Sequence, residues 1–199
     1  MSTKENRVEV AVYQRAKKGN FHCGDSYYYI ETENEFVCAI ADGLGSGEFA
    51  KESSQIVIDI IKNNIHATVE HIVKQCNEQL FRKRGVVLGI LKLTFLSGQY
   101  SFSSIGNIGV LTITRDGKRK RNIPNSGYLA GYHRTFKVIT DKLEPHMIFL
   151  MFSDGVTDAD LSQKFILNRD VNDITNTYAH LHSESQNDDT TLIAIRYEG

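Results

Sequence analysis

The residues best suited to chemistry are aspartates placed where apolar runs begin or end. FVCAIADGLGSG, at 36–47, is apolar up to Asp42 and then opens into Gly43, Gly45 and Gly47. HMIFLMFSDG, at 146–155, repeats the form and ends on Asp154. Asp25 stands immediately before SYYYIE, and Asp188 with Asp189 immediately before TTLIAIR. Glycines after a strand can cradle a phosphate at a helix start. Here the third glycine is misplaced for a dinucleotide fingerprint, and no second acid-ended strand follows about 20 residues on. A nucleotide cofactor is therefore not expected. Asp-Gly is also a common turn dipeptide, which would account for one isolated instance. Several carboxylates at one sheet edge would repel one another unless a cation neutralised them. All-oxygen ligands select hard ions, so Mg²⁺ or Mn²⁺ is favoured over zinc or copper. A glycine after each acid lets the chain turn sharply, and the Gly43 carbonyl could itself face an ion.

The elements that must hold these acids follow from the apolar periodicity. RVEVAVYQ alternates like a half-buried strand, and SYYYIE with EFVCAIAD reads as a hairpin. In that hairpin Tyr27, Tyr28 and Tyr29 alternate between core and surface. Ile56, Val57, Ile60, Ile61 and Ile65, then Val69, Ile72, Val73, Cys76 and Leu80, fall at helical spacing and predict two amphipathic helices. GVVLGILKLTF, QYSFSSIG, NIGVLTITRDG, TFKVITD and HMIFLMFSD return to strands; 159–182 predicts helix, and TTLIAIRYE a last strand. Many antiparallel strands with helices in separate blocks describe an α+β domain of stacked layers.

Composition narrows the function classes. A net charge of −1 gives no general attraction to nucleic acid or an acidic membrane. No run approaches the 18 or so apolar residues of a membrane span, and MSTKENRVEVAVYQRAKKGN has no signal-peptide core. A cytoplasmic location is expected. Cys23, Cys38 and Cys76 have neither disulfide nor zinc-knuckle spacing and read as small core residues. The cationic run DGKRKR at 116–121 reads as a hairpin tip, either a solvated turn or a docking patch for an acidic partner. SGYLAGYHR at 126–134 is either an ordinary connection or part of a substrate rim.

Taken in order, GD (Gly24, Asp25), ADGLGSG (Ala41 to Gly47), FSDGVTDA (Phe152 to Ala159) and NDDTTLIAIR (Asn187 to Arg196) resemble the motifs of the metal-dependent PP2C-type serine/threonine phosphatases, and in particular their compact bacterial partner-switching branch. The resemblance covers nearly the whole chain and implies one domain over 1–199. The implied fold is an αββα sandwich of two mainly antiparallel β-sheets flanked by helices, with two Mn²⁺ or Mg²⁺ ions at one edge. Carried over by position, Asp42 bridges both ions and positions the attacking water. Asp25 and the Gly43 carbonyl complete one ion; Asp154 and Asp188 hold the other, with Asp189 the alternative to Asp188. Two bridged ions can lower the pKa of a water and neutralise charge on a phosphoryl group, so no nucleophilic side chain is required.

The chain departs from the larger eukaryotic members in two places. Leu44 stands where they have a histidine after Asp-Gly, and Asn20 where they have a phosphate-clamping arginine; His22, Arg15, Lys17 and Lys18 are the nearby candidates to substitute. The expected activity is hydrolysis of phosphoserine or phosphothreonine on signalling proteins, with STAS-domain stressosome or anti-sigma-antagonist proteins implied by the branch. The rival is a catalytically weak or inactive PP2C-like module that binds a phosphoprotein.

Overall fold

Strands buried on both faces read as unbroken apolar runs, and the longest runs here are of that kind. The computed structural model describes residues 6–19, 23–45, 47–183 and 188–199. Strands β1 (Val8–Arg15), β2 (Asp25–Glu31) and β3 (Glu35–Gly43) precede helices α1 (Glu48–Asn63) and α2 (Val69–Gln79). Strands β4 (Val86–Thr94), β5 (Gln99–Ile105), β6 (Gly109–Ile113), β7 (Arg119–Arg121), β8 (Ile139–Lys142) and β9 (Ile148–Phe152) follow. Helix α3 (Asp158–Ser162), a 3₁₀ turn (Lys164–Leu167), helix α4 (Val171–Leu181) and strand β10 (Thr190–Tyr197) complete the order. Two five-stranded sheets result, β1-β10-β9-β6-β7 and β2-β3-β4-β5-β8, with antiparallel pairing along every ladder.

The period of two in each strand divides its side chains between two cores. In β3, Phe36, Cys38 and Ile40 enter the core between the sheets, while Val37, Ala39 and Ala41 lie under α1 and α2. In β9, Phe149 and Met151 face the other sheet, while Ile148, Leu150 and Phe152 lie under α4. The architecture is the expected αββα sandwich. Among the described residues no helix is long and apolar enough to cross a membrane.

Three sequence expectations are modified. The helix expected over 159–182 is three pieces, because Thr157 forms a capping box with Asp160 and Asp170 accepts from the Asn172 and Asp173 N–H groups, so helix starts twice. The strand expected from TFKVITD begins only at Ile139, because the Asn125 side chain takes both backbone groups of Lys137 that a ladder would use. The cationic run is a hairpin tip only in its first half: Asp116 to Lys118 belong to the turn, and Arg119–Arg121 return against β6 as β7.

Gly43 has a use other than the sharp turn first expected. A Cβ there would lie 2.0 Å from the Ala50 carbonyl oxygen, so only glycine lets α1 start against the end of β3. Gly43→Ala should therefore lose about 1–3 kcal/mol, the usual cost of forced overpacking. Urea denaturation checks this, and an unchanged midpoint would refute the close-approach account.

Candidate metal centre and its acidic edge

Parity along β3 decides where Asp42 points. It continues the row of Phe36, Cys38 and Ile40, so it lies on the inter-sheet face where that core opens at the sheet edge. Asp25 is its direct cross-strand partner in β2. From the opposite sheet, Ser153 and Thr191 continue the inter-sheet rows of β9 and β10. The Thr191 hydroxyl donates to Asp25 Oδ2 at 2.7 Å and accepts from Gln14 Nε2 at 3.0 Å. A chain of hydrogen bonds from β1 through β10 to β2 thus ties the two sheets together at the acids.

The other acids arrive from the second sheet. Asp154 follows β9, exposed, and its Oδ2 accepts from Asn107 Nδ2 at 2.7 Å. Asp189 accepts from the Lys17 N–H at 2.8 Å and the Gly24 N–H at 2.9 Å, using both oxygens on backbone. Asp188 is exposed; its carboxylate accepts the Asp189 N–H at 3.0 Å and its backbone carbonyl accepts from the Thr190 hydroxyl at 3.2 Å. Among the described residues no three acidic, His or Cys side chains converge into a ready-made metal cage. Asp154 and Asp189 instead lean toward partners of their own.

The electrostatics nevertheless mark one cluster. Burial, followed by the charges of Asp25, Asp154, Asp189 and Asp188, pushes Asp42 up to about 8. Burial raises Asp25 to about 6 against the hydrogen bonds from Thr191 and Ser153, with Asp189 and Asp154 adding to the rise. Asp154 is also raised, by burial and then by Asp188. Asp25 Oδ1 is buried with no hydrogen-bond partner. A buried, unsatisfied carboxylate oxygen on a residue paired across the strands with a second acid is costly as it stands and is what a hard cation would satisfy, so the residues fit a divalent ion.

Asp25, Asp154, Asp188 and Asp189 all lie close enough to Asp42 for their charges to raise its pKa, and Gly43 is the next residue along the chain. His22 and Asn20 lie outside the described residues. Leu44 packs against the inter-sheet core. Arg15 is not a free clamp, because its guanidinium donates to the His182 and Ser183 carbonyls. Sequence reasoning missed Asn107, Thr191, Gln14 and Lys51, whose amine donates to the Asp25 carbonyl at 2.7 Å. Only Thr191, inside the NDDTT motif, carried a signal.

An αββα sandwich whose inter-sheet cleft ends in a cluster of acids defines the class of the PP2C-type protein phosphatases. The Stage II sporulation protein E (SpoIIE) family matches residues 32–198, and the chain belongs to that family. It is 34% identical to the phosphoserine phosphatase RsbX of Bacillus subtilis (strain 168) over 186 residues, which cover 94% of this chain and 93% of RsbX. A crystal structure of RsbX in complex with magnesium superposes with a TM-score of 0.88 over 98% of both chains. The catalytic domain of the serine/threonine phosphatase PstP with two manganese ions has the same fold, at a TM-score of 0.75, 15% identity and coverage of 96% and 99%. Membership of this family and the likeness to RsbX make the chain a protein-serine/threonine phosphatase.

The raised acids predict an unusual pH response. A carboxyl whose folded-state pKa lies above its unfolded value near 4 favours the fold fully below that value and loses the contribution as pH rises through the folded pKa. For Asp25 that loss is complete above about 6 and for Asp42 above about 8. In chelator, Asp42→Asn should melt higher than the parent protein at pH 9, with the difference shrinking at pH 5. Thermal scans at both pH values check this, and an equal difference at both would contradict it.

Proposed function

We propose that this chain, as a single phosphatase domain over 1–199, hydrolyses phosphoserine or phosphothreonine on signalling proteins at the acidic edge of its inter-sheet cleft. The observation that carries the reading is the register that sets Asp25 opposite Asp42, with a buried Asp25 oxygen left unpaired. Two Mn²⁺ or Mg²⁺ ions are the proposed cofactors. Asp42 would span both; Asp25 and the Gly43 carbonyl would hold one, Asp154 and Asp188 the other. Asp188 is preferred over Asp189 because the oxygens of Asp189 are already taken by backbone N–H groups. When bound, the ions supply an activated water and charge neutralisation for the phosphoryl group.

The chain's own residues prepare that site. Asn107 orients Asp154, and Thr191, itself held by Gln14, orients Asp25. Lys51 fixes the backbone carbonyl of Asp25. Asp189 fastens the segment before β2 to the second sheet, keeping Asp25 and Asp154 at one edge. The unpaired Asp25 oxygen argues against the rival of a catalytically weak or inactive phosphoprotein-binding module, since mutually repelling carboxylates have little structural use without a metal. Similarity to RsbX supports substrates of the stressosome type, and STAS-domain proteins in the cytoplasm are the specific candidates.

Hydrolysis of p-nitrophenyl phosphate and of a serine-phosphorylated STAS-domain protein, with Mn²⁺ and with chelator, tests the reading. Turnover should require metal and be abolished by Asp42→Asn. Binding to the native state alone should stabilise the parent protein by about 2.7 kcal/mol when Mn²⁺ exceeds its Kd a hundredfold. Most of that shift should vanish in Asp42→Asn. A fully active Asp42→Asn protein would remove this residue from the mechanism.

A further inference from the structure

The run at 118–121, the obvious docking surface in the sequence, is largely neutralised in the fold. Lys118 pairs with Asp116, Lys120 with Asp141 and Arg121 with Asp158, while Arg119 donates to the Leu161 carbonyl. A different surface carries cations without carboxylate partners. Next to the acidic edge, three segments join through backbone hydrogen bonds. The Leu44 N–H donates to the Gly85 carbonyl at 2.8 Å, and Val86 and Leu129 exchange both of their bonds at 2.9 and 2.8 Å. The buried Asn77 side chain locks the third segment, accepting from the Ala130 and Gly131 N–H groups and donating to the Tyr132 carbonyl. The 126–134 segment is therefore held in place beside the site.

The outer side of this assembly is basic and aromatic. Arg84 donates to the Leu44 carbonyl at 3.3 Å and lies over the Phe49 ring at 5.5 Å. Two residues of chain span at most about 7 Å, so the Leu44 anchor of Arg84 stays close to Asp42. Arg82 lies over the Phe81 ring at 5.3 Å. Among the described residues neither arginine has an ion-pair partner, whereas Lys83 between them pairs with Glu52 at 3.0 Å. Phe49, Tyr128 and Tyr132 are 64%, 48% and 72% exposed. Unpaired arginines among exposed rings, on a fixed backbone, are the composition of a protein-recognition surface.

We infer that this rim docks an acidic segment of the phosphoprotein substrate, with Arg84 and Arg82 taking carboxylates beside the phosphorylated serine and Phe49 and Tyr128 packing against its chain. The inference rests on the phosphatase reading and extends it to substrate class. Charge complementarity selects the occupant: guanidinium forks pair best with carboxylates, and such pairs govern specificity more than turnover.

Three probes test it with Mn²⁺ present: p-nitrophenyl phosphate, a phosphoserine peptide flanked by Asp and Glu, and the same peptide flanked by Lys. The parent protein should favour the acidic peptide by about tenfold in kcat/KM. The double variant Arg82→Glu, Arg84→Glu should lose or reverse that ratio, mainly through KM, whereas Lys118→Glu, Lys120→Glu should keep it. Both arginines are exposed, and thermal scans confirm that each variant is folded. Turnover of p-nitrophenyl phosphate with no peptide preference, or a preference that survives the arginine double variant, overturns the docking alone. Self-association that disappears in the double variant, with no peptide preference, assigns the rim to a second copy and also overturns it. No turnover of any probe overturns the phosphatase reading and the docking with it.

Discussion

Everything at the functional edge depends on two carboxylates being placed directly opposite each other on the inward face of one antiparallel pair. Asp25 and Asp42 are register partners, and a slip of one residue would turn either strand's entire row to the helix side. The apolar rows of β3 and β4 prevent such a slip, because each strand has one set of side chains committed to the inter-sheet core and another to the helix layer. The repulsion between the acids is thus held in place by hydrophobic packing on both faces. Burial raises the cost of that repulsion, as the displaced titration of Asp42 records.

The second sheet answers this constraint with neutral donors and backbone. Thr191, Ser153 and Asn107 contribute hydroxyls and an amide, while Asp189 is used up on the Lys17 and Gly24 N–H groups. Among the described residues the one ammonium in hydrogen-bonding contact with the Asp25 unit, Lys51, addresses its carbonyl and not its carboxylate. The acids are therefore left without a permanent cationic partner, and a cation that binds meets no internal ion pair it must first break.

Much of this was legible because the longest strands are buried on both sides and read as apolar runs ending abruptly at an acid. The αββα layering and the gathering of the aspartates followed from those runs and their motif order. What escaped was set by contacts distant in sequence. Nothing in KRKR reveals that Asp141 and Asp158 will neutralise it. Nothing in TFKVITD reveals that Asn125 will occupy the backbone of Lys137. Asn107 reads only as a turn residue until Asp154, on another strand, comes within reach. The break of 159–182 was more accessible, since Thr157 and Asp170 are ordinary helix-capping residues.

The place of the last strand has a consequence for how the molecule is made. β10 is inserted between β1 and β9, so among the described residues β1 finds its ladder neighbour in a strand far later in the sequence. That late strand also brings Thr191 and the Asp188–Asp189 pair to acids that emerged much earlier. Such long-range closure is slow relative to local pairing. During synthesis β1 must wait with an unpaired edge, while the β2–β3 hairpin and its following helices can already assemble. Without β10 nothing would stand between β1 and β9, and Asp25 would lose the Thr191 hydroxyl, so the two sheets are tied together at the acids only when that strand closes its sheet.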